Sequence, residues 1–495
     1  MNPLKKLAGQ TAIYGLSSIV GRLLNYFMVP LYTRFFDPEA YGVVGELYAY
    51  VGFLVVLLTF GMETTFFRFS HIEGNNKQNI YNQAGTFIIV VNVIFLLFSI
   101  GFSQSIANFI DYPEHREYVI WFALIVVTDA VSAIPLAKLR LEDKARQFAM
   151  VQLVTIGVNV ALNLFFILFC KGLYDSGNSF FLIDWIYYPS IGVGYVFIAN
   201  LLSSLVRPIL LYKEFKAIQF KIDKPVMREM FLYAFPLVIA GFAGIINEVL
   251  DRILLRRILT ASHGRSYSLE QVGIYSACYK LSIMITIFIQ AFRYAAEPFF
   301  FSKSKDENHK KIYSRVMTYF VITVSLIFLL VSLYLDIFKY FIPNEKYWEG
   351  LKIVPILLLA NIFLGIYYNQ SIWYKLANKT KFGSYISMGG AILTIVLNVS
   401  LIPWIGYMGA AIATLVVYFA QMVASWKLGQ IHYPIKYNIR KVIFYLLLAI
   451  LLYLISLIFN FDSIFVKLLV NTILLSLFIF VVFILENPLK LIQKR

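Results

Sequence analysis

Arg22 stands near the middle of an apolar run that extends from about residue 11 to residue 32. Ser18, Arg22 and Asn25 follow at i, i+4 and i+7, so on a helix they share one face, with Gly15 a turn away. An Arg or Lys held at mid-bilayer costs about 2.5–3.5 kcal/mol on insertion scales. A polar stripe around such a cation therefore lines a cavity that admits an anionic group, or locks two helices where the Arg meets a carboxylate. Lys280 raises the same question: it is a cavity cation, or its long stem snorkels to the interface. Arg252 follows Glu248 by one turn and Arg293 precedes Glu297 by one turn, a spacing at which charges neutralise each other on one helix. Arg252 is alternatively a third cavity cation. Asp251 and Asn247 form another i, i+4 pair, suited to a coupling cation or to a structural hydrogen bond. Asp129 and Glu46 are lone acids in apolar runs, each a candidate proton relay. Pro30 and Pro236 each free a backbone carbonyl inside such a run. They are hinges or tolerated kinks.

The elements that position these residues must be membrane helices. Of 495 residues 60% are hydrophobic and only 14% charged, with a mean hydropathy of +0.74, whereas soluble domains carry about a quarter of their residues as charge. Apolar stretches near the roughly 20 residues needed to cross a bilayer occur at 11–32, 43–62, 84–104, 118–136, 148–169, 190–211, 231–254, 272–298, 317–340, 353–374, 383–402, 408–426, 442–460 and 467–485. The expectation is an all-α polytopic membrane protein of about 14 transmembrane helices. The first run follows Lys5 and Lys6 but has no small-residue cleavage site, and is read as a retained helix rather than a signal peptide.

The net charge of +16 is distributed over short loops, which argues against a nucleic-acid partner. Lys138, Arg140, Lys144 and Arg146 fall on one side, together with Lys213, Lys216, Lys221, Lys224 and Arg228. Lys303, Lys305, Lys310, Lys311, Lys375, Lys379, Lys381, Lys427, Lys436, Arg440 and Lys441 join them. That asymmetry places these loops and both termini in the cytoplasm. Arg252, Arg256 and Arg257 break the pattern. Cys170 and Cys278 make neither a disulfide framework nor a metal spacing.

The chain also repeats. Glu39-Ala-Tyr-Gly42-Val43 matches Glu270-Gln-Val-Gly273-Ile274, and Val160-Ala-Leu-Asn163 after Phe148 matches Ile395-Val-Leu-Asn398 after Phe382. The repeat divides the chain into a six-helix lobe (1–211), a basic cytoplasmic linker (212–230), a second six-helix lobe (231–426), and two further helices with a tail (427–495). Two such lobes in one orientation imply a pseudo-twofold axis along the membrane normal. Tyr41-Gly42 and Val272-Gly273 then occupy equivalent places and become candidate gate residues for alternating access.

Several segments carry a resemblance to a known family. They are Phe36-Asp-Pro-Glu-Ala-Tyr-Gly42, Gly61-Met-Glu-Thr-Thr-Phe-Phe-Arg68, Tyr233-Ala-Phe-Pro236-Leu-Val, Leu250-Asp-Arg252, Gly273-Ile-Tyr-Ser-Ala, Ala295-Ala-Glu-Pro298 and Gly409-Ala-Ala-Ile-Ala-Thr414. In order, and over nearly the whole chain, the sequence resembles the polysaccharide (O-antigen/oligosaccharide repeat-unit) flippases of the multidrug/oligosaccharidyl-lipid/polysaccharide exporter superfamily. The resemblance implies transport of an undecaprenyl-diphosphate-linked oligosaccharide across the bacterial inner membrane by alternating access. It also implies H+ or Na+ coupling, membrane lipids as surroundings and a polysaccharide polymerase as partner, with no cofactor and no metal. Two helices beyond twelve suit a long lipid tail. A lipid II flippase is the alternative cargo reading; a multidrug or cation antiporter would be expected to centre its cavity on carboxylates. An enzyme is disfavoured because the outer loops are short and lack an Asp-x-Asp pair, and the five histidines lie in or beside loops without metal-ligand spacing.

Overall fold

The computed structural model describes residues 19–21, 23–177, 181–304, 306–459 and 463–486. They form helices and turns, with no strand among the described residues. In a bilayer every backbone N–H and C=O must be satisfied within the chain, and a helix does this locally. Large side chains such as Leu97, Trp404, Leu447 and Phe480 remain exposed, as expected of surface that meets lipid.

Eleven of the described helices are long and apolar enough to cross a membrane. Of the expected spans, the first lies partly outside the described residues and the sixth forms a shorter apolar helix, Gly194–Leu210. The eleventh and twelfth are joined in Lys381–His432, which departs from helical geometry at Ile405 and at Gly406, where φ is +54°. Local chemistry sets several boundaries. Pro38 opens helix Pro38–Thr59, where its missing N–H costs nothing. Asn76 caps Lys77–Gly101 by accepting from the N–H groups of Gln78 and Asn79. Phe60 and Gly61 then take left-handed conformations and separate Pro38–Thr59 from Met62–Ser70. Pro30 and Pro236 both lie inside continuous helix.

The chain divides into two compact units, Met1–Ile253 and Leu254–Arg495. The division falls within the 40-residue helix Lys224–His263. In the first unit Met62, Phe66, Tyr81, Ala84, Ile88, Ile134, Ala137 and Ala234 form a core. In the second, Phe300, Tyr313 and Ile372 form one cluster, and Ala360, Val417 and Tyr418 another. The last two helices, Ile439–Ile458 and Ile464–Glu486, are joined through Glu486, which accepts from Lys441 Nζ at 2.8 Å and Tyr445 Oη at 2.7 Å. Asn471 fixes them to helix His309–Leu333 by donating to the Leu333 carbonyl at 2.5 Å.

Candidate functional site

Arg22 and Ser18 lie outside the described residues, so the stripe that opens the sequence reading is represented by Asn25, which is exposed. A different polar stripe is fully visible in the first unit. Asn200, Ser203, Ser204 and Arg207 fall at i, i+3, i+4 and i+7 of helix Gly194–Leu210 and face neighbouring helices. Asn200 Nδ2 donates to Tyr48 Oη at 2.7 Å. Ser203 Oγ accepts from Asn159 Nδ2 at 3.1 Å, Asn159 is bonded to Asn163, and Asn163 Oδ1 accepts from Tyr32 Oη at 3.0 Å. Arg207 meets Asp129 at 2.6 Å. Asp129 is thus not the lone acid expected: an Arg 78 residues away neutralises it.

Glu46 is fully buried and is likewise held by neighbours. Tyr112 Oη donates to Glu46 Oε2 at 2.7 Å, and Tyr50 donates to Oε1 at 3.3 Å. The expected Glu248–Arg252 pairing gives way to Asp251, whose carboxylate lies 3.1 Å from Arg252, while Glu248 contributes only its backbone carbonyl, at 3.0 Å. Asn247, beside them, is half-buried. Tyr41 and Gly42 are buried in this unit.

In the second unit Lys280 is half-buried and Val272 and Gly273 are buried on helix Arg265–Lys303. Arg256, a dissenter from the loop-charge pattern, is buried and donates to Ser268 at 2.7 Å and to Thr260. It thereby bridges two consecutive helices. The expected Arg293–Glu297 pair is also overturned. Glu297 bonds Lys375 Nζ at 2.6 Å, and the Arg293 guanidinium lies over the Tyr368 ring, 4.2 Å from its centroid. The short helix Ile372–Leu376, which follows Val354–Gln370 after a one-residue break at Ser371, brings Lys375 to Glu297 and wins the competition. Outside the spans, Lys144 is drawn upward from the usual lysine range by its hydrogen bond to Glu142. Among the described residues no three His, Cys, Asp or Glu come together to hold a metal.

The long apolar helices define a multi-pass membrane protein. A structure titled "Lipid II flippase MurJ, inward closed conformation" matches with a TM-score of 0.70 at 13% identity, covering 94% of this chain and 98% of that one. An inward-facing multidrug resistance MATE family transporter of the MOP superfamily matches with 0.63 at 12% identity, covering 83% and 94%. A MATE in the straight conformation matches with 0.58 at 12% identity, covering 87% and 96%. No curated protein matches. The family model described as "Polysaccharide biosynthesis protein" matches residues 7–303, and the chain belongs to that family.

Proposed function

We propose that this protein is a flippase that moves an undecaprenyl-diphosphate-linked oligosaccharide from the cytoplasmic to the periplasmic leaflet of the bacterial inner membrane by alternating access, for surface polysaccharide assembly. The observation that carries the reading is the polysaccharide biosynthesis family match. The charge inside the helices supports an anionic cargo over a cationic drug. Asp129 and Asp251 are each already neutralised by an Arg, which argues against a cavity built on carboxylates. Arg22, Lys280 and Arg252, with Ser18 and Asn25, remain the proposed cargo residues. Asp251, Asn247, Asp129 and Glu46 are the proposed coupling groups, and Pro30 and Pro236 the hinges. A gating role for Tyr41, Gly42, Val272 and Gly273 belongs to the same proposal. So do the two six-helix lobes, cytoplasmic termini, H+ or Na+ coupling and a polymerase partner.

The test is a deletion strain carrying a plasmid copy. Loss of the gene removes the surface polysaccharide and leaves lipid-linked repeat units on the cytoplasmic face; wild type restores export, and Arg22→Ala, although present in the membrane, does not. An intact surface polysaccharide in the deletion strain would overturn the reading. The likeness to MurJ favours a second reading, a lipid II flippase. Proteoliposomes loaded with lipid II or with a repeat-unit lipid separate the two cargoes.

A further inference from the structure

Where Arg293, Glu297, Tyr368, Asn369 and Lys375 meet in the second unit, they line a crevice of about 20 Å³. That is room for one oxygen-sized atom. Asn369 is 3% exposed, and neither its Nδ2 nor its Oδ1 has a hydrogen-bond partner. Leaving a buried polar group unpaired is costly, so an amide unpaired at both ends marks a place where something else supplies the partners. Arg293 is exposed, pairs with no acid among the described residues, and lays its guanidinium over the face of Tyr368. Lys375 is shared with Glu297 at 2.6 Å. The lining therefore carries two cations, one carboxylate and one unpaired amide, a net positive site. Lys375, on the short helix Ile372–Leu376, belongs to the basic group that the charge asymmetry assigns to the cytoplasm, and Arg293 lies ten residues, about 15 Å, before the end of its helix at Lys303.

We propose that this crevice binds one oxygen of a lipid-borne phosphate at the inner end of the second unit. Asn369 Nδ2 donates to that oxygen, and Arg293 and Lys375 supply the charge. The stacked guanidinium keeps its edge N–H groups available for phosphate. Glu297 lies on the same wall and competes for Lys375. This holds the affinity down, as suits a transporter that must release what it binds. The site rests on the flippase reading insofar as the phosphate is the diphosphate of the cargo. A membrane-lipid headgroup offers the same chemistry.

The test measures binding of farnesyl diphosphate, with farnesol as the uncharged control, to the full chain in phosphatidylcholine nanodiscs. Arg293→Gln and Asn369→Asp each weaken farnesyl diphosphate binding roughly tenfold, the loss expected for one charge-assisted contact, and leave farnesol unaffected. Glu297→Gln tightens it. Repetition in phosphatidylglycerol discs identifies the source: competition assigns the site to headgroups, and its absence to the diphosphate cargo. Unchanged binding in all three variants, or equal losses for farnesol, would overturn the site. Wild-type binding that the variants leave intact removes this site alone, since the deletion strain tests the flippase reading separately.

Discussion

The polar seam of the first unit and the inner crevice of the second contain the same kinds of residue, yet they are finished differently. In the seam, Asn163, Asn159, Ser203, Asn200 and Asp129 each find a partner on a neighbouring helix. Arg207 Nε, among the described residues, lacks one. In the crevice, Asn369 finds no partner and Arg293 finds an aromatic face instead of an acid. Hydrogen bonds that close on themselves hold helices together where no water is available. Those left open cost stability unless a ligand or a water supplies the partner. On the phosphate-site proposal the crevice takes a ligand, whereas the seam holds helices together, with Asp129 its one proposed coupling group.

The largest effect should come from breaking the seam at its ion pair. Asp129→Leu leaves Arg207 charged and without its acceptor, and should destabilise the protein by about 3 kcal/mol, read as a lower unfolding temperature in detergent and reduced membrane abundance. Asp129→Leu combined with Arg207→Leu should recover most of that loss, because both charges are removed together. If Asp129→Asn folds normally and stops transport, Asp129 is a coupling group and the seam is not merely structural.

Glu46 tests the intermediate case, a buried acid whose two tyrosine donors could equally serve fold or proton transfer. Glu46→Ala removes the acceptor of the Tyr112 Oη bond at 2.7 Å and should cost about 1–3 kcal/mol. Glu46→Gln retains an acceptor and should keep abundance near wild type. Transport surviving in Glu46→Gln places Glu46 with the seam; transport lost at normal abundance places it with the coupling groups.

The membrane class and helical fold were legible in the sequence because apolar length is a local property, and the family because short segments such as Phe36–Gly42 and Gly61–Arg68 resemble it. The stripe Asn200–Ser203–Arg207 obeys the same spacing rule that singles out Ser18, Arg22 and Asn25. Arg207, however, sits close to the expected end of its span at 211, where a cation reads as an interfacial anchor. Partner choice was the illegible part. The i, i+4 rule treats a helix as though alone, so it pairs Arg293 with Glu297 and Arg252 with Glu248. Lys375 enters from a different helix and takes Glu297, while Asp251, directly adjacent in sequence, takes Arg252. Asn369 gave no signal, since what marks it is the absence of a neighbour, a property of packing.

The smallest effect on stability, and the sharpest on the comparison, is expected at Asn369. Replacing a buried, unpaired amide with an apolar side chain of similar size removes a desolvation penalty and opens no new one. Asn369→Leu should therefore unfold at the same temperature as wild type or slightly above it. The same exchange at Asn163, which accepts from Tyr32 and donates to the Asn159 carbonyl, strands those partners and should lower the unfolding temperature. If the crevice serves a phosphate, the stable Asn369→Leu protein should nonetheless export less glycan, because the donor that meets the phosphate oxygen is gone. A protein that is both stabilised and fully active would show the open amide to be a packing fault, and the contrast between the two regions would fail at the point where it was drawn.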